Sequence, residues 1–187
     1  MTIQDSRVDF ELGDEVSTAP PANLTLLLAI FKFDRMEWAI EKCAELGVSR
    51  IVPVVARRTD AHLASAAAKR AERWRRIALQ AAEQSRRSGP PEIAAPIRLQ
   101  EAASMNGGDL RIVLTESEQQ ALLREVVATS PGGGIVLAVG PEGGWVDDEL
   151  QLFRKSGWIA ASLGPTILRA ETAAIAAIAI AISEFGV

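Results

Sequence analysis

Two loops in the last third of the chain combine glycines with side chains that could do chemistry. Residues 140–144 (GPEGG) and 163–169 (LGPTILR) each follow an apolar run and precede a helical pattern. Glycine lets a backbone approach a ligand closely, and the free N–H groups at a helix start are hydrogen-bond donors. Because ligands of parallel α/β sheets bind at the carboxyl ends of strands, the two loops predict a ligand site. Tight turns alone would have the same composition, so that alternative stays open at this point.

The absence of three common motifs disfavours several enzyme classes. Neither loop has the G-x-G-x-x-G spacing of dinucleotide-binding proteins, and the chain contains neither the P-loop motif nor G-x-S-x-G. A nucleotide-binding enzyme or an α/β hydrolase is therefore disfavoured. His62 is the only histidine and Cys43 the only cysteine, so the sequence predicts no metal site and excludes an intramolecular disulfide.

Positive charge is concentrated in one segment. Seven basic residues and two acidic ones lie between residues 69 and 87, so this segment carries +5; because the formal net charge is −4, the rest carries −9. Such asymmetry is typical of a phosphate-binding surface. A solvated helix face is the competing interpretation, and charge alone favours it.

Apolar runs and helical periodicity alternate along the chain and define the elements that must position these residues. Strands are predicted over 24–31, 50–56, 110–114, 135–139 and 158–163, with a weak one near 93–99. Helices are predicted from a cap at Asp34 to Gly47, and over 66–87, 118–128, 146–155 and 170–184. Pro53 places the second strand near an edge or at a bulge. The alternation predicts a three-layer α/β/α domain on a mostly parallel sheet.

Length and composition predict one globular domain. The chain has 187 residues, 48% of them hydrophobic and 24% charged. We expect residues 1–23 to form a tail and residues 24–187 the domain. The most apolar run, 173–182, is shorter than the roughly 18 residues that span a bilayer, and no signal segment is recognisable, which predicts a cytoplasmic protein without a membrane partner.

Four stretches of the sequence resemble one known family. They are KFDRMEWAIEKCAELGVSRIVPVVARRT (32–59), RWRRIALQAAEQSRRSGPPEI (73–93), VGPEGGWVDDEL (139–150) and LGPTILRAETAAIAAI (163–178). Their order and content are similar to the RsmE family of small-subunit ribosomal RNA uridine-N3 methyltransferases, of the SPOUT superfamily. The resemblance covers nearly everything from residue 24 onward.

The resemblance implies a fold, a cofactor and partners. The fold would be a SPOUT-type α/β domain whose C-terminal segment forms a trefoil knot. S-adenosylmethionine would be the cofactor, 16S ribosomal RNA or the small ribosomal subunit the partner, and a homodimer the working form, with no metal. The implied substrate-binding residues are Lys32, Arg35 and Arg87. The implied cofactor-binding residues are Leu114, Thr115, Glu116, Gly140, Pro141, Glu142, Gly143, Leu163, Gly164 and Leu168.

The reaction that the resemblance implies assigns a catalytic role to Arg169. Methylation at N3 of uridine spreads negative charge onto two ring carbonyl oxygens, and a fixed positive donor would stabilise it. Arginine does not give up its proton, so Arg169 is not a base. Glu142 or Glu171 could assist proton removal, or could instead cap a helix start. Trp145 could line the cofactor pocket or a dimer face.

Two departures from the family keep a second hypothesis open. Family members begin with a small β-barrel RNA-binding domain, of which residues 1–23 could be only a remnant. Thr166 stands where the family usually has a further basic residue. The alternative is a catalytically weak or inactive SPOUT-fold protein that binds the cofactor or RNA. The final helix is apolar on several faces, which predicts that it is covered in a homodimer.

Overall fold

A parallel sheet forms the centre of the molecule. The computed structural model describes residues 2–4, 7–9, 11, 13, 22–105, 110–118, 120–129 and 133–184. The strands of the main sheet are β3 (Leu24–Ala29), β4 (Arg50–Val55), β5 (Glu92–Ile93), β6 (Ile97–Arg98), β7 (Leu110–Leu114), β8 (Ile135–Val139) and β9 (Ile159–Ala161). They follow the order β5-β4-β3-β8-β7-β9, with β6 also paired to β4, and every pairing is parallel. The predicted mostly parallel sheet is confirmed.

The sheet is covered on both faces. The helices are α1 (Phe33–Leu46), α2 (Ala61–Gln84), α3 (Leu99–Ala103), α4 (Leu123–Ala128), α5 (Asp147–Lys155) and α6 (Ala170–Glu184). On β3, Leu24, Leu26 and Leu28 pack with the core that contains α1, α2, α4 and α6, whereas Leu27 and Ala29 pack with α3 and α5. A strand buried on both faces favours apolar residues throughout, which is why every residue of β3 except Thr25 is apolar.

Pro53 lies opposite a break in the neighbouring strand. β5 pairs with Arg50 and Ile51, and β6 pairs with Val54 and Val55, so the weak strand predicted near 93–99 is split in two. The Ile51 carbonyl accepts from Ala94 N at 3.0 Å. Because backbone direction alternates along a strand, the Pro53 nitrogen also faces this side. The missing N–H of Pro53 therefore removes no hydrogen bond between strands. β4 carries no bulge and lies next to the edge of the sheet rather than at it.

Helix starts are where the sequence-based boundaries were wrong. α2 begins at Ala61 rather than 66, because Asp60 Oδ1 accepts from His62 N at 2.7 Å and caps the helix. Asp34 does not cap α1; it lies in the first turn, where a negative charge favours the helix dipole. α4 begins at Leu123 rather than 118, and the five-residue α3 was not predicted.

The N-terminal residues form a separate hairpin. β1 (Thr2–Gln4) pairs antiparallel with β2 (Arg7–Asp9), outside the main sheet. The division at residue 23 stays a prediction. No helix in the described ranges is long and apolar enough to cross a membrane, and no group of three or more potential metal ligands occurs there. Cys43 is fully buried, and burial raises the pKa of its thiol to about 12.

Candidate functional site

Three adjacent strands end at a cavity on the carboxyl edge of the sheet. β8, β7 and β9 are neighbours, and the loops that follow them enclose about 650 Å³ of empty space, part of it open to solvent. The residues lining it are Leu114, Thr115, Glu116, Val139, Gly140, Pro141, Glu142, Gly144, Trp145, Ser162, Leu163, Gly164, Thr166, Ile167, Leu168, Ala170 and Ala173. The two glycine loops singled out in the sequence therefore meet at one site.

Backbone hydrogen bonds join the loop after β7 to the end of β9. Thr115 N donates to Ala161 O at 3.0 Å. Ser162 N donates to Ala121 O at 2.9 Å, and Ser162 O accepts from Leu123 N at 2.9 Å. These bonds continue the parallel pairing of β7 with β9 beyond the strands themselves. The two walls of the cavity are consequently joined by hydrogen bonds.

Trp145 closes the inner end of the cavity. Its indole Nε1 donates to Leu114 O at 3.1 Å, which ties the end of β8 to the end of β7. Its ring packs edge-on against Phe153 of α5, with 5.1 Å between ring centroids. Of the two roles considered for Trp145, the structure places it in the pocket.

Two glycines of the 140–144 loop leave room that a side chain would fill. A Cβ on Gly140 would lie 3.3 Å from the Trp145 ring. Gly144 has a φ of +69°, and a Cβ there would lie 2.9 Å from Glu116 Oε1. Only glycine adopts such a φ without strain, so Gly144 lets the exposed Glu116 carboxylate approach the loop.

A buried carboxylate anchors the same loop to the end of β4. Glu149, which is 6% exposed, accepts from Arg57 N at 2.7 Å through Oε1 and from Val146 N at 2.9 Å through Oε2. Arg58 donates a hydrogen bond to Gly143 O. Residues 57 and 58 thus hold the segment that connects the cavity to α5. Sequence reasoning missed Glu149, whose only signal was an acid in the first turn of a helix.

Nine of the ten residues predicted to bind the cofactor line this cavity. The exception is Gly143, which lies outside the lining and faces the Arg58 side chain. The structure adds residues from the same loops and from the start of α6, among them Trp145, Ser162 and Ala173. The sequence signal that could have identified these residues is that they lie within a few positions of the two glycine loops. Cofactor binding by the lining residues stays a prediction.

The predicted catalytic and substrate-binding cations are not among the residues that line the cavity, although Arg169 and Lys32 neighbour lining residues. Arg169 is exposed at the end of the second glycine loop. Lys32 is exposed, and its backbone N lies 3.5 Å from Glu142 Oε1. Arg35 Nη1 lies 3.5 Å from Glu171 Oε1, and Glu171 is only 3% exposed. This pair joins α1 to the first turn of α6, directly after Arg169.

Arg87, the remaining predicted substrate contact, occupies a structural position. Its guanidinium donates to the carbonyls of Ala44 at 2.7 Å and Val48 at 2.9 Å, where α1 ends. A cation there satisfies carbonyls that lack helical partners. Burial lowers the pKa of this guanidinium, but arginine remains charged. Substrate contact by Arg87 stays a prediction, and the structure shows two of its guanidinium nitrogens bound to the protein itself.

Several cations of the basic segment 69–87 have partners within the protein. Arg70 and Arg73 pair with Glu37 at 3.4 and 2.8 Å, and Arg75 pairs with Glu72 at 3.4 Å. With Arg87, four of its seven cations have protein partners. The solvated-face interpretation therefore describes this segment better than a phosphate-binding surface does.

The fold and cavity define a parallel α/β domain with a candidate ligand site at the carboxyl ends of its strands. Residues 18–182 match the family model for the RNA methyltransferase domain, and the chain belongs to this family. It is 36% identical over 162 residues to ribosomal RNA small subunit methyltransferase E of Synechocystis, covering 85% of this chain and 52% of that protein. The Aquifex aeolicus protein of the same name is 31% identical, with 92% and 74% covered.

Solved structures show the same architecture. A Legionella pneumophila methyltransferase in complex with S-adenosylmethionine has a TM-score of 0.79 and 34% identity, with 87% of this chain and 66% of that chain covered. The Neisseria gonorrhoeae ribosomal RNA small subunit methyltransferase E, bound to S-adenosylmethionine, has a TM-score of 0.75 and 38% identity, with 85% and 65% covered. The SPOUT-type α/β class is confirmed, whereas the trefoil knot stays a prediction. The chain spans only about half of the Synechocystis relative.

Replacing Arg87 should destabilise the fold rather than weaken RNA binding. Arg87→Met removes hydrogen bonds from a charged donor to the end of α1, so we expect the free energy of unfolding to fall by about 1–3 kcal/mol. Urea denaturation measures this change. Arg76→Met, at an exposed position of the same basic segment, is the control and should change it by less than about 0.5 kcal/mol. Equal stabilities of the two variants would contradict the structural role.

Proposed function

We propose that this chain transfers a methyl group from S-adenosylmethionine to N3 of a uridine in 16S ribosomal RNA of the small subunit. The observation that carries the proposal is the cavity formed by the two glycine loops, with Arg169 exposed at the end of one of them. Family membership supports an RNA substrate. The names of the relatives support the small subunit, and two similar structures hold S-adenosylmethionine.

The cavity fits a nucleoside that carries an amino-acid tail. Leu163, Ile167 and Leu168 supply apolar surface for a ring, and the glycines allow close backbone contact. The exposed Glu116 carboxylate is an acceptor suited to ribose hydroxyls. The groups present therefore match the cofactor, with binding mostly through backbone and apolar contacts.

The chemistry required of the protein is limited. The cofactor supplies an electrophilic methyl group on a sulfonium and leaves as the neutral thioether. Uridine must lose its N3 proton, and the resulting charge spreads over the ring nitrogen and the two carbonyl oxygens. Arg169 stabilises that charge with a planar fork of N–H donors. The cavity walls hold the two reactants in line.

Of the two candidate bases, Glu142 is better placed than Glu171. Glu142 is exposed and lines the cavity. Glu171 is nearly fully buried beside Arg35, which suits a residue that fixes the first turn of α6. We therefore assign Glu171 and Arg35 to positioning Arg169, and proton removal to Glu142 or to water that it orients.

A homodimer through α6 completes the proposal. One face of α6 packs against α1 and α4, with Ala174, Ala177 and Ile178 fully buried. Thr172, Ala176, Ala179 and Ser183 share another face at helical spacing. Thr172, Ala179 and Ser183 are exposed there, and small residues allow a second helix to approach closely. That face is the surface we assign to the partner copy.

Filling the cavity should abolish cofactor binding. A side chain at Gly140 points toward Trp145, so Gly140→Val should raise the Kd for S-adenosylmethionine at least about tenfold in calorimetry. Gly89→Val is the matched control, because a Cβ there meets nothing within 4 Å. No heat from the unmodified chain at millimolar cofactor would refute the cofactor assignment.

Removing Arg169 should slow the reaction while leaving the cofactor bound. Arg169→Ala loses one preorganised donor, so the single-turnover rate on small ribosomal subunits should fall by about 10²–10³, with an unchanged cofactor Kd. Arg169→Lys should recover only part of the rate, because a point charge cannot reproduce the fork. Arg124→Ala, at an exposed position on α4, is the control.

The same measurements decide between competing interpretations. A parallel loss of melting temperature, cofactor affinity and rate would show that Arg169 has a structural role instead. Cofactor and RNA binding by the unmodified chain without turnover would support the alternative of a weak or inactive binding protein.

A charge on the outer face of α6 should separate the protomers. Ala179→Glu places a carboxylate at the proposed contact, so the mass in light scattering at micromolar concentration should fall from that of a dimer to that of a monomer. Gln151→Glu, an exposed position on α5, is the control and should remain dimeric. A monomeric mass for the unmodified chain would contradict the dimer.

A further inference from the structure

We infer that single-stranded RNA reaches the cavity along four cations at the carboxyl edge of the sheet. These are Arg98, Arg57, Arg58 and Lys32, called here the carboxyl-edge track. The inference rests on the proposed function and adds to it the path of the substrate backbone. It also replaces the basic segment of α2 as the main phosphate-binding surface.

Strand order fixes the spatial order of the track. Arg98 ends β6, Arg57 and Arg58 follow the end of β4, and Lys32 follows the end of β3. The strands lie in the order β6, β4, β3 and β8, and β8 leads into the 140–144 loop of the cavity. Neighbouring strands are about 4.8 Å apart, so the track extends over about 10 Å from β6 to β3. Phosphates advance by at least about 3.4 Å along a strand, so this length spans more than one of them.

The track is continuous with the cavity wall. Arg57 and Arg98 line one surface groove together with Val146, which directly follows the cavity residue Trp145. Arg58 donates to the carbonyl of Gly143 in the cavity loop. A chain lying on these cations therefore leads directly to the cavity mouth.

The cations of the track keep their charge available. Within the described part of the chain, Arg57, Arg58, Arg98 and Lys32 are exposed and have no carboxylate within ion-pair distance. Asp148 lines the same groove but forms no ion pair with either arginine. On α2, Arg70, Arg73 and Arg75 differ because they are already paired with glutamates, whereas Lys69 and Arg76 have no ion pair within the described ranges. Phosphates bind preferentially where cations are not compensated.

The chemistry of the target favours a single strand. N3 of uridine lies on the Watson–Crick edge, so it is reachable only when the base is unpaired and out of the stack. A duplex would keep this nitrogen inaccessible. A single strand can place its backbone on the track while one base enters the cavity.

The dependence of RNA binding on salt tests the track directly. The probe is a fluorescein-labelled oligouridylate of about 12 nucleotides, titrated by anisotropy between about 50 and 200 mM salt. Each phosphate contact on a single strand contributes about 0.7 to the slope of log K against log salt. Arg57→Ala/Arg98→Ala should therefore flatten the slope by about 1.4 and weaken binding at the lower salt concentration.

Two further variants make the result specific. Arg154→Ala/Lys155→Ala removes the same charge from the far end of α5 and should leave the slope within about 0.3 of the unmodified chain. Lys69→Ala/Arg76→Ala removes two positive charges from α2. It should flatten the slope by less than half as much as Arg57→Ala/Arg98→Ala does. Equal flattening in the three variants, a larger effect from α2, or no salt-dependent binding by the unmodified chain would overturn the inference.

Calorimetry with S-adenosylmethionine separates this inference from the proposed function. Arg57→Ala/Arg98→Ala should bind the cofactor as the unmodified chain does, because the backbone hydrogen bond from residue 57 to Glu149 remains. If the unmodified chain binds no cofactor, the proposed function fails, and the salt slopes still decide whether the track holds RNA.

Discussion

The site depends on backbone hydrogen bonds that continue the pairing of β7 with β9 past the ends of both strands. Thr115 N reaches Ala161 O, and Ser162 is bound on both sides by residues 121 and 123. Without these bonds the loops after β7 and β9 would be independent surface loops, whose conformations vary widely. With them, a cavity built mostly of backbone and small residues has a fixed shape. Preorganised walls of this kind reduce the cost of ordering a ligand.

The charged residues of this protein fall into two groups with different tasks. Buried or half-buried groups connect elements: Glu149 joins the end of β4 to α5, Arg87 ends α1, and Glu171 holds Arg35. Four exposed cations without a carboxylate partner, Lys32, Arg57, Arg58 and Arg98, lie at the carboxyl edge. Because a buried charge is tolerated only with hydrogen-bond partners, burial separates the two groups more clearly than residue type does.

Much of the fold could be predicted from the sequence because a sheet buried on both faces leaves a strong signal. The runs that became β3, β4, β7 and β8 are apolar at nearly every position, and the glycine loops follow two of the strands directly. Contacts between distant residues left no such signal. Arg73 meets Glu37 and Arg87 meets the end of α1, so cations that form one run in sequence have different partners in space. Arg58 likewise packs against Gly143, which was predicted to bind the cofactor.

The position of Glu149 would link the two ligands of the proposed reaction thermodynamically. One carboxylate oxygen holds the backbone of residue 57, beside the proposed RNA path, and the other holds Val146, at the end of the loop proposed to bind the cofactor. A shift of either segment changes the geometry available to the other. Linkage requires that any effect of bound RNA on cofactor affinity be matched by an equal effect of cofactor on RNA affinity. The order in which RNA and cofactor bind would then be set by a coupling free energy transmitted through the Glu149 side chain. It would not require that one ligand sterically block the other.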